Sequence, residues 1–331
     1  MPTYTCTAAC KNCGTLSSPR ERTNLTLNVM LSAIQQAREL NFANIVFTGG
    51  EATLRWKDLL QAIEYAHSLG MPTRLVTNAH WAHSIEIAQK RLTDLIQHGL
   101  SEINYSTGDE HIRFVPLDKV IYATVSALTL KLPVHIMVEY KKNRTIRKAD
   151  ILEHPLLSNF LKFKDDLLNI TESPWMPLNP MTVEEYPPED TVNLKTVTLR
   201  EGCDNVLQTY TLQADGNIGA CCGLGLRLVK ELNTSHIQKE FFLRQAIEEA
   251  ENDFLKLWIH YKGPEKILAW AAEKNPTIVW ENMYAHRCQA CHRIYKDPEV
   301  SNVVREHYAE LLADVLQSAW LDEYVFPQTM P

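Results

Sequence analysis

Cys6, Cys10 and Cys13 form a C-x3-C-x2-C cluster almost at the N-terminus. Structural zinc normally takes four protein ligands, and disulfides use cysteines in pairs, so three thiolates suit neither. They suit a [4Fe–4S] cubane with one iron lacking a protein ligand, which can bind a small molecule; a zinc knuckle or unconnected thiols are the plainer alternatives. No cysteine follows until Cys203, Cys221 and Cys222, and then a C-x2-C pair, Cys288 and Cys291. Cys203, Cys221, Cys288 and Cys291 are enough to close a second cluster, although C-x2-C suits zinc equally well. The stretch "CQACH" also matches a haem-attachment pattern. We set haem aside, because such attachment generally occurs outside the cytosol and no export signal is seen. Cys222 is one thiol more than two clusters require. It is either a buried structural cysteine or a hydrogen-atom donor to a carbon radical.

These groups need a scaffold, and the first half of the chain has the pattern of one. Helical spacing over about 25–39, 54–69, 85–97 and 118–131 alternates with short apolar runs at 44–51, 73–79, 102–107, 134–140 and 167–172. With "PTYT" (Pro2 to Thr5) as a short first strand, this predicts about six βα units. The expected fold class is α/β, a partial (β/α)6 TIM-type barrel. The first cysteines then fall on a βα loop at the C-terminal mouth of the strands, where such folds place their chemistry. Gly70 and Gly99 are expected helix caps.

Polar residues mark the other strand ends. "TGGE" (Thr48 to Glu51) closes the second predicted strand. Its glycines, Gly49 and Gly50, permit close backbone approach, and Glu51 offers a carboxylate to an ammonium group. Asn78 ends the third strand, Ser106 with Asp109 or Glu110 follows the fourth, and Glu139 lies on the fifth. Each has a plain alternative as a turn or cap residue.

From Ser173 the chain turns proline-rich, a connector over 173–200. A β-hairpin is expected over 206–222 about Asp215-Gly216-Asn217. Helices follow from about 236, broken near Gly263-Pro264 and by a Cys288 loop. The domains are therefore expected as 1–172, 173–200 and 201–331. Apolar stripes on helices 242–260 and 302–319 read as core faces rather than docking surfaces. A net charge of −7 argues against nucleic-acid binding. No run of about 18 apolar residues predicts a membrane span. A cytosolic location is expected, with thiols reduced.

The C-x3-C-x2-C spacing resembles the signature of the radical S-adenosylmethionine (SAM) family, and "TGGE" stands where that family carries its Gly-Gly-Glu motif. The resemblance implies that the open iron chelates SAM and that one electron splits it into methionine and a 5′-deoxyadenosyl radical. It also implies SAM contacts from Gly49, Gly50, Glu51, Asn78, Ser106, Asp109 and Glu139. Asn12 departs from the pattern, since an aromatic residue usually precedes the third cysteine. The later cysteines resemble the short auxiliary-cluster (twitch/SPASM-like) domain of the peptide-modifying members, implying a second [4Fe–4S] cluster on Cys203, Cys221, Cys288 and Cys291.

"TGGEATLRWKDLL", "LVTNAHWA", "YSTGDEHIRFV", "LQADGNIGACCG", "YKGPEKIL" and "RCQACHRIY" narrow the likeness to the epipeptide peptide epimerases. That likeness implies conversion of L- to D-residues in a ribosomally made precursor peptide, with Cys221 as cluster ligand and Cys222 as hydrogen donor. An electron donor such as flavodoxin or ferredoxin is implied. Sibling maturases form thioether or carbon–carbon crosslinks with similar parts, and a non-catalytic iron–sulfur or zinc scaffold is the alternative from another class. No room is expected for a leader-binding domain ahead of the barrel.

Overall fold

Five parallel strands, β1 (Ile45–Phe47), β2 (Thr73–Thr77), β3 (Glu102–Gly108), β4 (Val134–Tyr140) and β5 (Leu168–Pro174), pair in sequential order. An order that never reverses returns every crossover to the same side, which is how a partial barrel is wound rather than a doubly wound sheet. The computed structural model describes residues 1–161 and 166–324, and its contacts divide it into two units. The first comprises Met1–Trp175 with Gln213–Gly216, the second Met176–Leu212 with Asn217–Pro331.

In the first unit α1 (Leu27–Glu39) precedes β1, and the crossovers carry α2 (Trp56–Ser68), α3 (Ile85–Gln97) and α4 (Leu117–Thr129). Their ends follow one recipe. After each helix a residue takes positive φ: Asn41, Gly70, Gly99 and Lys131. The next amide then reaches back to a carbonyl five residues earlier, as Met71 N does to Ala66 O at 3.0 Å and Leu100 N to Leu95 O at 3.0 Å. These are Schellman closures, and they satisfy carbonyls the helix leaves open. Two use the expected glycines; Asn41 and Lys131 do the same work without that signal.

Side chains alternate across the sheet. Leu75, Ile103, Tyr105, Ile136 and Val138 are fully buried, and the Tyr105 hydroxyl donates to Ala123 O on α4 at 3.2 Å. Each such aliphatic side chain contributes about 1.5–3 kcal/mol. The opposite face carries Arg74, Asn104, Ser106, His135, Met137 and Glu139, residues that share register positions across neighbouring strands. Between β4 and β5 lie two short helices, α5 (Lys148–Leu152) and α6 (Pro155–Leu161), that were not expected; five- and seven-residue helices present too little periodicity to read.

The expected first strand is a correction. Thr3 and Thr5 form only isolated bridges, to Asn24 and Ser18. The segment still lies along the end of β1, where Gly50 N donates to Thr3 O at 2.9 Å and Glu51 N to Thr5 O at 2.8 Å. It turns into the cysteine loop before a ladder can propagate. Gly50 is what allows this contact: a Cβ there would stand 2.2 Å from Thr5 O. Gly50→Ala is expected to cost about 1–3 kcal/mol by forced backbone displacement, read as a lower denaturant midpoint at unchanged slope.

The second unit opens with the expected hairpin, β6 (Thr211–Leu212) and β7 (Asn217–Gly219), joined by β8 (Asn233–His236) into an antiparallel sheet. Helices α7 (Phe242–Glu251), α8 (Phe254–Lys262), α9 (Pro264–Lys274), α10 (Arg287–Lys296), α11 (Pro298–His307) and α12 (Leu312–Tyr324) follow. Three expectations change. Asp253 divides the helix expected over 242–260, because its carboxylate caps a new one by accepting from Leu255 N at 2.9 Å and Lys256 N at 3.2 Å. The expected Cys288 loop is the first turn of α10, with His286 as its N-cap. Helix 302–319 is broken at Tyr308–Leu311; Val303, Val304 and Val315 are core as expected, whereas Leu316 on α12 is 46% exposed.

Candidate functional site

The front cysteines sit at the C-terminal ends of the strands, and their loop is tied to four of those ends. After β1, Gly49 O accepts from Thr15 Oγ1 at 3.3 Å, and Thr15 Oγ1 lies 3.4 Å from Cys13 Sγ. After β2, Asn78 Nδ2 donates to Thr7 Oγ1 at 3.0 Å and toward Cys6 Sγ at 3.7 Å. After β3, Glu110 O accepts from Cys10 Sγ at 3.8 Å, and Glu110 Oε2 accepts from Lys11 N at 3.3 Å. After β5, the Trp175 indole donates to Lys11 O at 2.9 Å. Asn12 has φ near +60°, a left-handed conformation that asparagine tolerates far better than a bulky aromatic residue does.

The three cysteines are partly buried. Burial is the main cause that pushes the Cys6 thiol up to about 11 and the Cys10 thiol up to about 12, with neighbouring cysteines and carboxylates adding to it. Both thiols are therefore protonated at neutral pH without a metal, and metal loading must displace those protons. Since the folded values lie above the ordinary thiol value, the native chain holds protons that the unfolded chain releases. Stability from this source is full below about pH 8.5 and lost as pH rises through 11–12. In the metal-free protein, alkylation of Cys6 and Cys10 is expected to rise about tenfold per pH unit from 7 to 10 without a plateau, read by mass mapping.

The other expected contacts divide into those with internal partners and those open to a ligand. Glu51 is fully buried. Its Oε1 accepts from Thr53 N at 3.3 Å, Thr53 Oγ1 at 2.6 Å and Thr77 Oγ1 at 2.8 Å, and its Oε2 from Asn78 N at 2.9 Å. It is a buried staple joining the ends of β1 and β2. Asp109 turns to the segment after β4, accepting from Thr145 N, Thr145 Oγ1 at 2.6 Å and Ile146 N at 2.9 Å. Burial raises its pKa, but these hydrogen bonds outweigh that and hold it below the usual value. Glu139 Oε1 accepts from Glu110 N at 2.6 Å and His111 N at 3.1 Å, while Oε2 faces His111 Nδ1 at 3.0 Å. Gly108 is glycine because a Cβ there would meet that carboxylate at 2.0 Å. Ser106 differs from these: it is half-buried on the open face of β3, and its hydroxyl has no hydrogen-bond partner among the described residues. Trp175, Glu110 and His111 bear on the cysteine loop in ways the spacing did not show; a tryptophan directly after the last strand was the available signal.

In the second unit five thiols come together. Cys203, Cys221 and Cys291 lie in its apolar core beside Trp258, Ile259, Tyr284 and Ile294. Cys203 is fixed through its backbone, with N donating to Ile259 O at 3.1 Å. Gly202 is required beside it, since a Cβ would strike His260 O at 1.8 Å. Cys221 follows β7, and its carbonyl accepts from Thr211 Oγ1 at 2.6 Å. Cys288 and Cys291 share one face of the first turn of α10, an i, i+3 pair at the positive end of the helix dipole. Cys222 is the near neighbour of both Cys221 and Cys288, and the three thiols titrate against one another. These neighbours push its thiol well below the ordinary value, while those of Cys221 and Cys288 rise well above it. Among the described residues no three His, Cys, Asp or Glu side chains form a site for a single metal ion. By donor chemistry, soft thiols in sets of three and five suit iron–sulfur ligation.

No family model matches the chain. Among solved structures it is similar to BtrN in complex with AdoMet and 2-DOIA, at 12% identity and TM-score 0.46, over 80% of this chain and 87% of that one. It is also similar to Streptococcus suis SuiB bound to S-adenosylmethionine, at 15% identity and TM-score 0.40, over 72% of this chain and 62% of that one. A second SuiB structure gives 14% identity and TM-score 0.38. The chain thus spans less than two thirds of SuiB. Among the described residues no helix is long and apolar enough to cross a membrane.

Proposed function

We propose that this protein is a radical SAM peptide epimerase that converts L- to D-residues in a ribosomally made precursor peptide. The observation that carries the proposal is the loop of Cys6, Cys10 and Cys13, held at the C-terminal ends of a parallel partial barrel by residues from four strand ends. Cys6, Cys10 and Cys13 would hold a [4Fe–4S] cluster, which when bound supplies the electron that splits SAM into methionine and a 5′-deoxyadenosyl radical. Ser106, with its unpartnered hydroxyl, is the residue best suited to bind a ribose hydroxyl. Asn78 would shield Cys6 and keep its loop in place. In the second unit, Cys203, Cys221, Cys288 and Cys291 would hold an auxiliary cluster. The remaining thiol, Cys222, would return a hydrogen atom to the peptide Cα radical on the face opposite the abstraction. One electron and one proton then restore that thiol. A flavodoxin or ferredoxin would serve as the external electron source.

The test is turnover of a candidate precursor peptide, taken from small open reading frames beside the gene, in D2O. Epimerisation places one solvent deuterium at each inverted Cα, whereas a crosslinking maturase leaves the peptide two hydrogens lighter. Loss of two hydrogens would replace the epimerase assignment with the crosslinking one. Failure to cleave SAM after anaerobic loading with iron and sulfide would overturn both in favour of a metal-binding scaffold.

A further inference from the structure

Lys11 lies between Cys10 and Cys13, and its backbone, rather than its side chain, is gripped from two directions. Lys11 N donates to Glu110 Oε2 at 3.3 Å, and Lys11 O accepts from Trp175 Nε1 at 2.9 Å. The two gripping residues come from the segments after β3 and β5, and both are braced on one buried side chain. Glu139 accepts from Glu110 N at 2.6 Å and pairs with His111 at 3.0 Å, and the His111 ring meets Trp175 edge to face at 5.7 Å. Trp175 is further fixed where its own N donates to Tyr140 O at 2.8 Å, at the end of β4. Cys10 Sγ itself points to Glu110 O at 3.8 Å.

We propose that Glu110 and Trp175 are positioning residues that clamp the Lys11 backbone and thereby set the Cys10–Cys13 turn in its ligating arrangement, with Glu139 as their common brace. The proposal deepens the reading of the front cysteines as cluster ligands and rests on it for its functional meaning. Its physical content concerns the polypeptide alone. A loop holding several thiols has no ladder to stiffen it, so side chains from a rigid sheet must preorganise it. Cys6 is outside the clamp, because its ties are to Ala8 N at 3.4 Å and Asn78 at 3.7 Å.

The experiment uses the full-length metal-free protein under reducing, anaerobic conditions, with iodoacetamide alkylation followed cysteine by cysteine by mass spectrometry. Trp175→Phe keeps the ring and removes the indole donor. It is expected to raise the alkylation rates of Cys10 and Cys13 at least about fivefold while leaving Cys6 within about twofold, the scale of one lost hydrogen bond. Glu110→Ala, which removes the acceptor, is expected to act in the same direction. The double variant should exceed the larger single effect by less than the product of the two, since both grip one residue. Trp175→His, which restores an N–H donor, should recover part of the protection. Equal rises at all three cysteines, or none at Cys10 and Cys13, would overturn the clamp; if Trp175→Phe does not fold, Glu110→Ala alone decides by the same criterion. A chain that binds no cluster but shows the selective rise refutes the functional reading and leaves the clamp standing. Cluster binding with no selective rise does the reverse.

Discussion

Replacing Cys10 with alanine is expected to abolish SAM cleavage. The anaerobically loaded variant should form 5′-deoxyadenosine no faster than an enzyme-free control, and it should lose the share of iron and of broad 400 nm absorption that belongs to one cluster, about half of each if both sites fill with cubanes. The effect is this large because three thiolates are the minimum that holds a cubane with one iron open. Removing one leaves two ligands on a loop that makes no ladder of its own. Cys6→Ala and Cys13→Ala should behave alike. The measurement is iron and sulfide analysis beside a SAM-cleavage assay. Full cleavage activity in any of the three variants would remove the basis of the proposed function.

Replacing Cys222 with alanine should separate the two halves of the reaction. The variant is expected to keep both iron contents and to hold 5′-deoxyadenosine formation within about twofold of wild type, while D-residues in the peptide fall to background. The Cα radical would still be made but would have no hydrogen atom returned to it, and quenched side products should replace the epimer. The neighbourhood of Cys222 sharpens this test, because it lies beside Cys221 and Cys288, two members of the assigned ligand set. If Cys222→Ala loses the auxiliary iron while Cys221→Ala keeps it, the two neighbours exchange roles. If Cys222→Ala still yields D-residues, the donor assignment fails. Chiral analysis of the hydrolysed peptide beside iron counting reads all of these outcomes.

The alternation of helix and strand in the first half was legible where elements are long enough to show their period: burial alternates along all of β2 and along β3 and β4 up to their last residues. The N-terminal strand was not legible, because whether Thr3 and Thr5 extend a ladder depends on the turn after them. The positions of the polar residues at strand ends could be read, but not the directions of their side chains. Asp109 and Glu110 are neighbours in sequence. One carboxylate turns to Thr145 and the other to Lys11, and which does which is decided by Glu139, twenty-nine residues beyond Glu110. Glu51 shows the same limit. Its place after two glycines was readable, whereas its four donors come from β2 and a local turn that only the folded chain assembles. The Trp175 contact with Lys11 joins residues 164 apart, beyond any spacing argument.

The eight cysteines fall as three in one unit and five in the other, and none is joined in a disulfide. Both numbers are odd. Pairing confined to each unit in air must therefore strand one sulfhydryl in each, however complete the oxidation. Material isolated aerobically would then carry two orphan sulfurs able to take up small-thiol adducts or to join two molecules covalently. Handling, as much as chemistry, would decide what a mass spectrum of this protein shows.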